Sequence, residues 1–507
     1  PKLLSSEDGG YSTGIINAYG DVAWHTANIT RFAEGQTVPP ENPIFAGERL
    51  TYPFMTNYAS ALLIVGGASL PASINIPAVI LIPILLTLLY YFVFRYTNAR
   101  SAGVIAVLLF LFGGATLGFF RIGQDFQEAG VSLVEFLTQL PTRDYSGVGT
   151  DQNGFHFLNP VTTLLLPQRS FLFGIPLALA ILTLLRPTRD KRDEEFIAAG
   201  VLSGLVPLFH GHTVLALIPA IIGLFFIKPK IHQWLLFVLP ALIIGFPGVL
   251  YYIRGESEAG AFFRLAPGWM AGDRNLIAYW MQNTGLLIPV VILGLFTKHV
   301  NQNLKAIALS GLILFTAANT WLFAPWAWDK FKLFVYFFLF SLPITAYLAA
   351  YLWREYKMIA VRAIVVLALA FHMTSAALDI WKLALPTARI WGEWDKQAVA
   401  AATMIQAQTR PGDIIPTAPS HNSTVVLAGR PRYLGFSAHV WSHGGNPWGR
   451  EKAIAEYYKG SIHTLPDVRP QFVLVGPQEE GSFAPIITRP NWDLVGQSGP
   501  YFLYKPT

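Results

Sequence analysis

From residue 77 to residue 381 the sequence keeps its charges out of its apolar stretches. Runs of membrane-spanning length alternate with short polar loops, and none has an Asp, Glu, Lys or Arg near its middle. Roughly 20 apolar residues in a helix cross a hydrocarbon core of ~30 Å, and an ionised side chain at mid-depth is strongly disfavoured. The chain reads as an α-helical polytopic membrane protein whose chemistry has to sit at a membrane face. Composition agrees, because 13% of the 507 residues are charged and 53% hydrophobic, about half the charged share of a soluble domain.

The net charge of +6 would suit a polyanionic partner until it is located. The loops assigned to the cytoplasm carry 13 Lys and Arg against 5 Asp and Glu, an excess of 8 that more than accounts for the whole. The basic balance therefore reports the positive-inside bias and not a nucleic acid. Cysteine is absent, so disulfides and thiol catalysis are excluded.

The expected spans run over 77–94, 102–120, 170–185, 234–253, 276–296, 306–323, 333–353 and 363–381. The stretch 196–227 reads as a tight helical hairpin, because basic residues stand at both of its ends and it is too long for one upright helix. That makes ten spans. Residues 1–55 are polar and are expected outside, which calls for a signal or anchor helix ahead of them. A first helix is thus expected before Pro1, bringing the count to eleven. The division is 1–74, a first external loop with interfacial helices; 75–385, a transmembrane domain including an external loop at 121–168; and 386–507, an external α/β domain. The last follows from a helical pattern at 396–408, a turn at Arg410-Pro411-Gly412-Asp413 and strands at 472–475 and 501–504.

The sharpest motif is Tyr19-Gly20-Asp21-Val22-Ala23-Trp24-His25, leading to Ile29, Phe32 and Ala33 on one helical face. Asp21 falls at the expected N-cap, after Gly20. It either only caps the helix or serves as a general base above the bilayer. His25 and Tyr52, the latter in a proline-stiffened loop, join it as candidate substrate contacts. On the outer face the cations are Arg121, Arg169, Arg254, Arg264, Arg274, Lys330 and Lys332, each either an interfacial anchor or a phosphate ligand. Arg169 leads them, held between Pro167 and an apolar helix; Arg264 and Lys332 are also carried as substrate contacts.

Asp125 and Glu128 lie one turn apart, as a solvated helix start or as part of a substrate site. His210-Gly211-His212, near the hairpin tip, reads as two core histidines or as donors to a sugar or diphosphate; two histidines alone are a weak zinc signal. In the external domain His421, Trp441 and His443 are the residue types on which sugar rings stack and hydroxyls bond, or a glycine-rich loop plugged by aromatics. No dinucleotide fingerprint, P-loop or serine-hydrolase elbow is present.

An Asp in a long first external loop leading into an interfacial helix, about eleven irregular spans, a second long external loop and an external C-terminal domain together resemble the GT-C glycosyltransferases. At residue level the resemblance is carried by Gly20-Asp21 to His25. It implies an enzyme of the plasma or inner membrane. Such an enzyme takes a sugar from a polyprenyl-phosphate or polyprenyl-diphosphate carrier on the non-cytoplasmic side and delivers it to a glycan, lipid or protein acceptor, with Asp21 as general base. It is neutral on a divalent metal. Val22 stands where the mannosyl- and aminoarabinose-transferring branches have the second residue of an Asp-Glu pair. Ala327-Trp328-Asp329-Lys330 matches the oligosaccharyltransferase Trp-Trp-Asp-Tyr-Gly signature only in part, so the branch is unassigned. The alternative is a transporter or flippase of a lipid-linked or sugar substrate. Prolines at 83, 176, 219, 240, 247, 289 and 343 would suit it, but the midplane charges and internal repeat such a protein uses are missing.

Overall fold

Peptide groups in a bilayer have no water to bond, so apolar sequence pairs them along the helix axis. Among the described residues the long apolar stretches are accordingly helical over most of their length. The computed structural model describes residues 3–15, 18–36, 38–114, 116–143, 145, 155–187, 192–253, 263–385, 390–484 and 486–507. They form two units, one of Pro1–Pro77, Val249–Ala261 and Arg389–Thr507, the other of Ala78–Gly248 and Phe262–Ala388.

Along the chain, β1 (Ser5–Glu7), β2 (Gly10–Thr13), α1 (Tyr19–Ala33) and α2 (Met55–Val65) come first. The apolar series follows as α3 (Leu70–Thr97), α4 (Arg100–Phe112), α5 (Leu117–Ala129), α6 (Leu133–Gln139), α7 (Ser170–Leu185), α8 (Asp193–Phe209), α9 (Gly211–Ile227) and α10 (Ile231–Ile253). After the two-residue strand β3 (Arg264–Leu265) come α11 (Leu276–Thr284), α12 (Leu287–Phe296), α13 (Gln302–Thr320), β4 (Trp321–Leu322), α14 (Phe331–Glu355) and α15 (Ile359–Ala384).

Four of the described helices are long and apolar enough to cross a membrane alone, and five if α11 and α12, bent by 95°, count as one. The other expected spans are made of shorter helices, and the breaks have identifiable causes. The expected span 102–120 stops at Phe112 and restarts at Leu117. Between them Gly114 has φ +108, and a Cβ there would stand 2.7 Å from the Leu158 carbonyl. Buried Asn159 fills the break: its Nδ2 donates to the carbonyls of Leu111 and Gly113, both at 2.9 Å. Its Oδ1 accepts from the N–H groups of Val161 and Thr162, both at 3.0 Å. At the α11–α12 bend, Asn283 Oδ1 accepts from the N–H groups of His156 at 2.7 Å and Phe157 at 2.8 Å. Residues 156–165, part of the loop expected over 121–168, are thereby buried within the helical unit.

The expected hairpin at 196–227 is present. Phe196 at the start of α8 and Phe225 near the end of α9 both pack on Trp234, with ring centroids at 5.5 and 5.6 Å. A straight helix would hold those two residues about 43 Å apart at ~1.5 Å per residue. The chain therefore reverses at His210, which is extended at φ −159, ψ 109.

In the other unit, β1, β2 and β5 (Trp391–Trp394) make an antiparallel sheet. The helix read at 396–408 is α16 (Lys396–Gln408), capped by Asp395, whose side chain accepts from the Ala398 N–H. Short helices α17 (Thr424–Leu427) and α18 (Ser437–Ser442) and the longer α19 (Trp448–Tyr458) follow. A second antiparallel sheet has the order β6 (Val473–Val475), β8 (Tyr501–Pro506), β7 (Trp492–Ser498), with α20 (Pro477–Phe483) after β6. Two contacts fasten α1 to this C-terminal part. Thr30 Oγ1 donates to the Val426 carbonyl at 2.6 Å, and buried Arg430 pairs with Glu34 at 2.8 Å.

The loop charges predict opposite sides for the α3–α4 turn and for α20. With no native cysteine in the chain, a single cysteine at Asn98 should be shielded from an impermeant thiol reagent in intact cells, and one at Ser482 should label. Labelling at Asn98 would reverse the assignment.

Candidate functional site

Asp21 is the third residue of α1 and not its N-cap. The helix starts at Tyr19 because Ala18, in a turn closed by its N–H to the Ile15 carbonyl, already has helical backbone angles, and no side chain caps it. A half-buried carboxylate in the first turn still faces the positive end of the helix. Trp24 and His25 follow three and four residues on, on the same face.

Around them stands a wall of rings. Trp24 stacks on His443 at 4.5 Å between centroids and meets Tyr52 at 5.7 Å and His439 at 5.9 Å. Tyr52 also contacts His443 at 4.9 Å and His25 at 6.4 Å, and His25 Nδ1 is 2.9 Å from Asn57 Oδ1. Tyr19 packs against His421 at 4.7 Å, and Phe436 bridges His421 to His439. Four candidates read from the sequence, His25, Tyr52, His421 and His443, thus gather around the first two turns of α1, the helix that carries Asp21. Trp441 is half-buried on α18, the helix that also carries His439.

Two members of the wall were not singled out by the sequence reading. His439 lies one turn before His443, and that spacing was its signal. Burial, then His421 and Arg432, push its pKa down to about 4. Burial and then Arg432 also lower His421. Both rings are neutral at physiological pH and act as hydrogen-bonding groups. Glu393 on β5 is 3% exposed. Neither of its carboxyl oxygens has a partner among the described residues, its charge acts on Tyr19, and burial raises its pKa to about 8. Nothing in a Trp-Gly-Glu-Trp strand announces a buried acid.

The helical unit gathers a second polar group. Arg169 stands at the N-cap of α7, after the π-helical turn Val161–Leu165, and is 2% exposed. Its guanidinium is covered by protein and does not reach out as an interfacial anchor would. Two residues on, the Phe171 ring packs on His210 at 4.2 Å. His210 Nδ1 lies 2.8 Å from Thr213 Oγ1, which also bonds the Tyr336 hydroxyl. The His210 and His212 rings are 5.4 Å apart, because one is extended and the other opens α9. A Cβ on Gly174 would run into Thr213 Oγ1 and the His210 ring, so α7 approaches this corner only as glycine. Lys332 pairs with Asp329 at 3.0 Å, and its charge reaches both imidazoles. Arg274 borders a cavity of about 730 Å³ with His156, Trp269 and Asp273.

Asp125 pairs with Arg121 at 3.8 Å, while Glu128 is exposed. Arg264 is exposed on β3. Arg254, and Arg189 and Lys191 of the basic cluster, fall outside the described residues. Among the described residues no three His, Asp or Glu side chains are grouped to hold a metal ion.

Broken apolar helices around buried polar corners, with a long first loop that folds together with the C-terminal α/β part, define an integral membrane protein of the GT-C fold. The chain is similar to the crystal structure of ArnT from Cupriavidus metallidurans in the apo state, at 10% identity and a TM-score of 0.51 over 95% of this chain and 92% of that one. It is also similar to ArnT from Cupriavidus metallidurans bound to undecaprenyl phosphate, at 11% identity and a TM-score of 0.50 over 97% and 95% of the two chains. At such identity the likeness is one of fold. No family model matches the chain, and no curated protein matches it in sequence.

Glu393 generates a pH prediction. Its folded-state pKa of about 8 lies above the ordinary 4.5, so folding takes up a proton between those values and stability falls as pH rises through that window. Glu393→Gln removes the titrating group. Its melting temperature should pull ahead of the wild type as pH climbs from about 4.5 to about 8, read by a thermal melt in detergent. Parallel curves would show that Glu393 is not held protonated.

Proposed function

We propose that the protein is a glycosyltransferase that moves a sugar from a polyprenyl-phosphate or polyprenyl-diphosphate carrier to an acceptor on the non-cytoplasmic face, with Asp21 as general base. The observation that carries this reading is the half-buried Asp21 in the first turn of α1 within a wall of neutral histidines and aromatic rings. The similarity in fold to ArnT, one of whose structures holds undecaprenyl phosphate, supports it.

In this reading an acceptor hydroxyl approaches Asp21, and the carboxylate takes its proton as the oxygen bonds the anomeric carbon of the donor sugar. The bond from that carbon to the carrier phosphate breaks, and the electron pair leaves with the phosphate. Charge developing there calls for fixed cations. Within the helical unit, buried Arg169, with a planar fork that meets phosphate oxygens two at a time, is our candidate phosphate ligand, and Lys332, whose charge reaches His210 and His212, a second. Neutral His421 and His439 can bond sugar hydroxyls without competing for the acceptor proton.

Asp21→Asn keeps the size of the side chain and, because Asp21 is not the cap, should leave folding intact. General-base catalysis contributes about 10²–10⁴-fold, so transfer by the purified variant should fall by that order. Normal product formation would eliminate Asp21 as the base. Unchanged movement of a lipid-linked sugar across proteoliposomes by Asp21→Asn would mark a transporter instead.

Arg169→Lys retains the charge and loses the fork. Affinity for undecaprenyl phosphate should drop by about tenfold, in line with a lost charge-assisted hydrogen bond, and drop further in Arg169→Ala, with a melting curve to check folding. Equal affinity in wild type and both variants would remove Arg169 from the donor site.

A further inference from the structure

Between the proline-stiffened loop after α1 and the glycine-rich segment after α18 opens a cavity of about 980 Å³, at the top of the ~300–1,000 Å³ range of small-molecule sites. Its walls are pinned to each other by backbone bonds. The N–H of Arg432 donates to the Pro43 carbonyl at 2.9 Å, that of Ala46 to Arg432 at 3.0 Å, and that of Gly435 to Ile44 at 2.7 Å. Thr51 Oγ1 donates to the His443 carbonyl at 2.8 Å. Buried Arg450 lies over the Phe45 ring at 4.2 Å and donates to the carbonyls of Ala46 and Tyr433. A ligand would therefore meet a preformed surface with little left to order.

The lining selects by chemistry. Glu48 and Asp467 are matched by Arg49 and Arg450, so the charges cancel and a strongly ionic ligand gains nothing. Apolar lining is confined to Phe45, Val440 and Pro466, too little to seat the side chains by which peptides are recognised. What remains are planar amide and carboxylate groups and glycine backbone, the partners of closely spaced hydroxyls.

One group is left over by the protein itself. Tyr433 lines the cavity and is fully buried, and its hydroxyl has no partner among the described residues. An unmet buried hydroxyl is destabilising until an oxygen or nitrogen reaches it. His443, another lining residue, stacks on Trp24 three residues after Asp21. The cavity thus adjoins α1, the helix that carries the candidate base.

We propose that this cavity binds a neutral saccharide as the acceptor subsite, with the Tyr433 hydroxyl, Asn446 and Asp467 bonding its hydroxyl groups. The role as acceptor subsite rests on the glycosyl-transfer reading above; saccharide binding does not.

The test uses the full chain in detergent and saturation-transfer NMR with glucose, galactose, mannose and N-acetylglucosamine and their disaccharides as probes. At least one should bind the wild type, and Tyr433→Phe, which removes only the unpartnered hydroxyl, should weaken it by about five- to tenfold, the worth of one neutral hydrogen bond. Asn446→Ala should weaken it as well, while undecaprenyl phosphate binds Tyr433→Phe as it does the wild type. The proposal is overturned if none of these sugars binds, or if all bind wild type, Tyr433→Phe and Asn446→Ala alike. Tyr433-dependent binding in a protein without transfer activity would keep the saccharide site and remove the enzymatic reading. Transfer with one acceptor KM in wild type and Tyr433→Phe would do the reverse.

Discussion

Non-helical backbone inside an apolar helical unit has to find its hydrogen bonds within the protein, and here two asparagine side chains supply them. Asn159 closes the carbonyl end of α4 and starts the π-helical turn that leads to α7, while Asn283 receives two backbone N–H groups at the bend between α11 and α12. Without such acceptors and donors each freed peptide group would stand unsatisfied at a penalty of several kcal/mol. The placement of Arg169 at the head of α7 depends on this arrangement, and so does the packing of Phe171 on His210.

The other unit solves a different problem, that of holding many polar rings close together without accumulating charge. Burial depresses the pKa of His439 and His421, and Arg432 adds to the effect in both. The ring wall can therefore border an acid without an imidazolium neutralising it. Glu393 has been driven the opposite way by the same burial. Burial thus favours the uncharged form of Glu393 and of both imidazoles alike.

Much of the architecture was legible because it rests on local sequence: the apolar runs, the hairpin turn at His210 and the helix at 396–408 are local properties. The breaks were not. Residues 102–120 are apolar throughout, and only Asn159, distant in sequence, explains why the helix stops at Phe112. Asp21 was found, but Gly20 was read as allowing a chain reversal ahead of an Asp21 N-cap, whereas glycine is tolerated in a first turn and the helix begins at Tyr19. His25, Tyr52, His421 and His443 were legible one by one as residue types. Their assembly was hidden, since α1 and α18 lie some four hundred residues apart in the sequence. Glu393 was illegible, because what makes it unusual is that its buried carboxyl oxygens have no partner among the described residues.

The asparagine bridges also bear on biogenesis. The carbonyls of Leu111 and Gly113 wait for a side chain 46 to 48 residues downstream, and the N–H groups of His156 and Phe157 wait for one 126 to 127 residues downstream. When α4 leaves the ribosome its end has no partner, and when residues 156–157 follow, theirs has not yet been synthesised. Insertion in strict order of synthesis would thus leave these peptide groups without their native partners. The end of α4 therefore needs water, or the insertion machinery, as a partner until Asn159 is made, and residues 156–157 need one until α11 arrives.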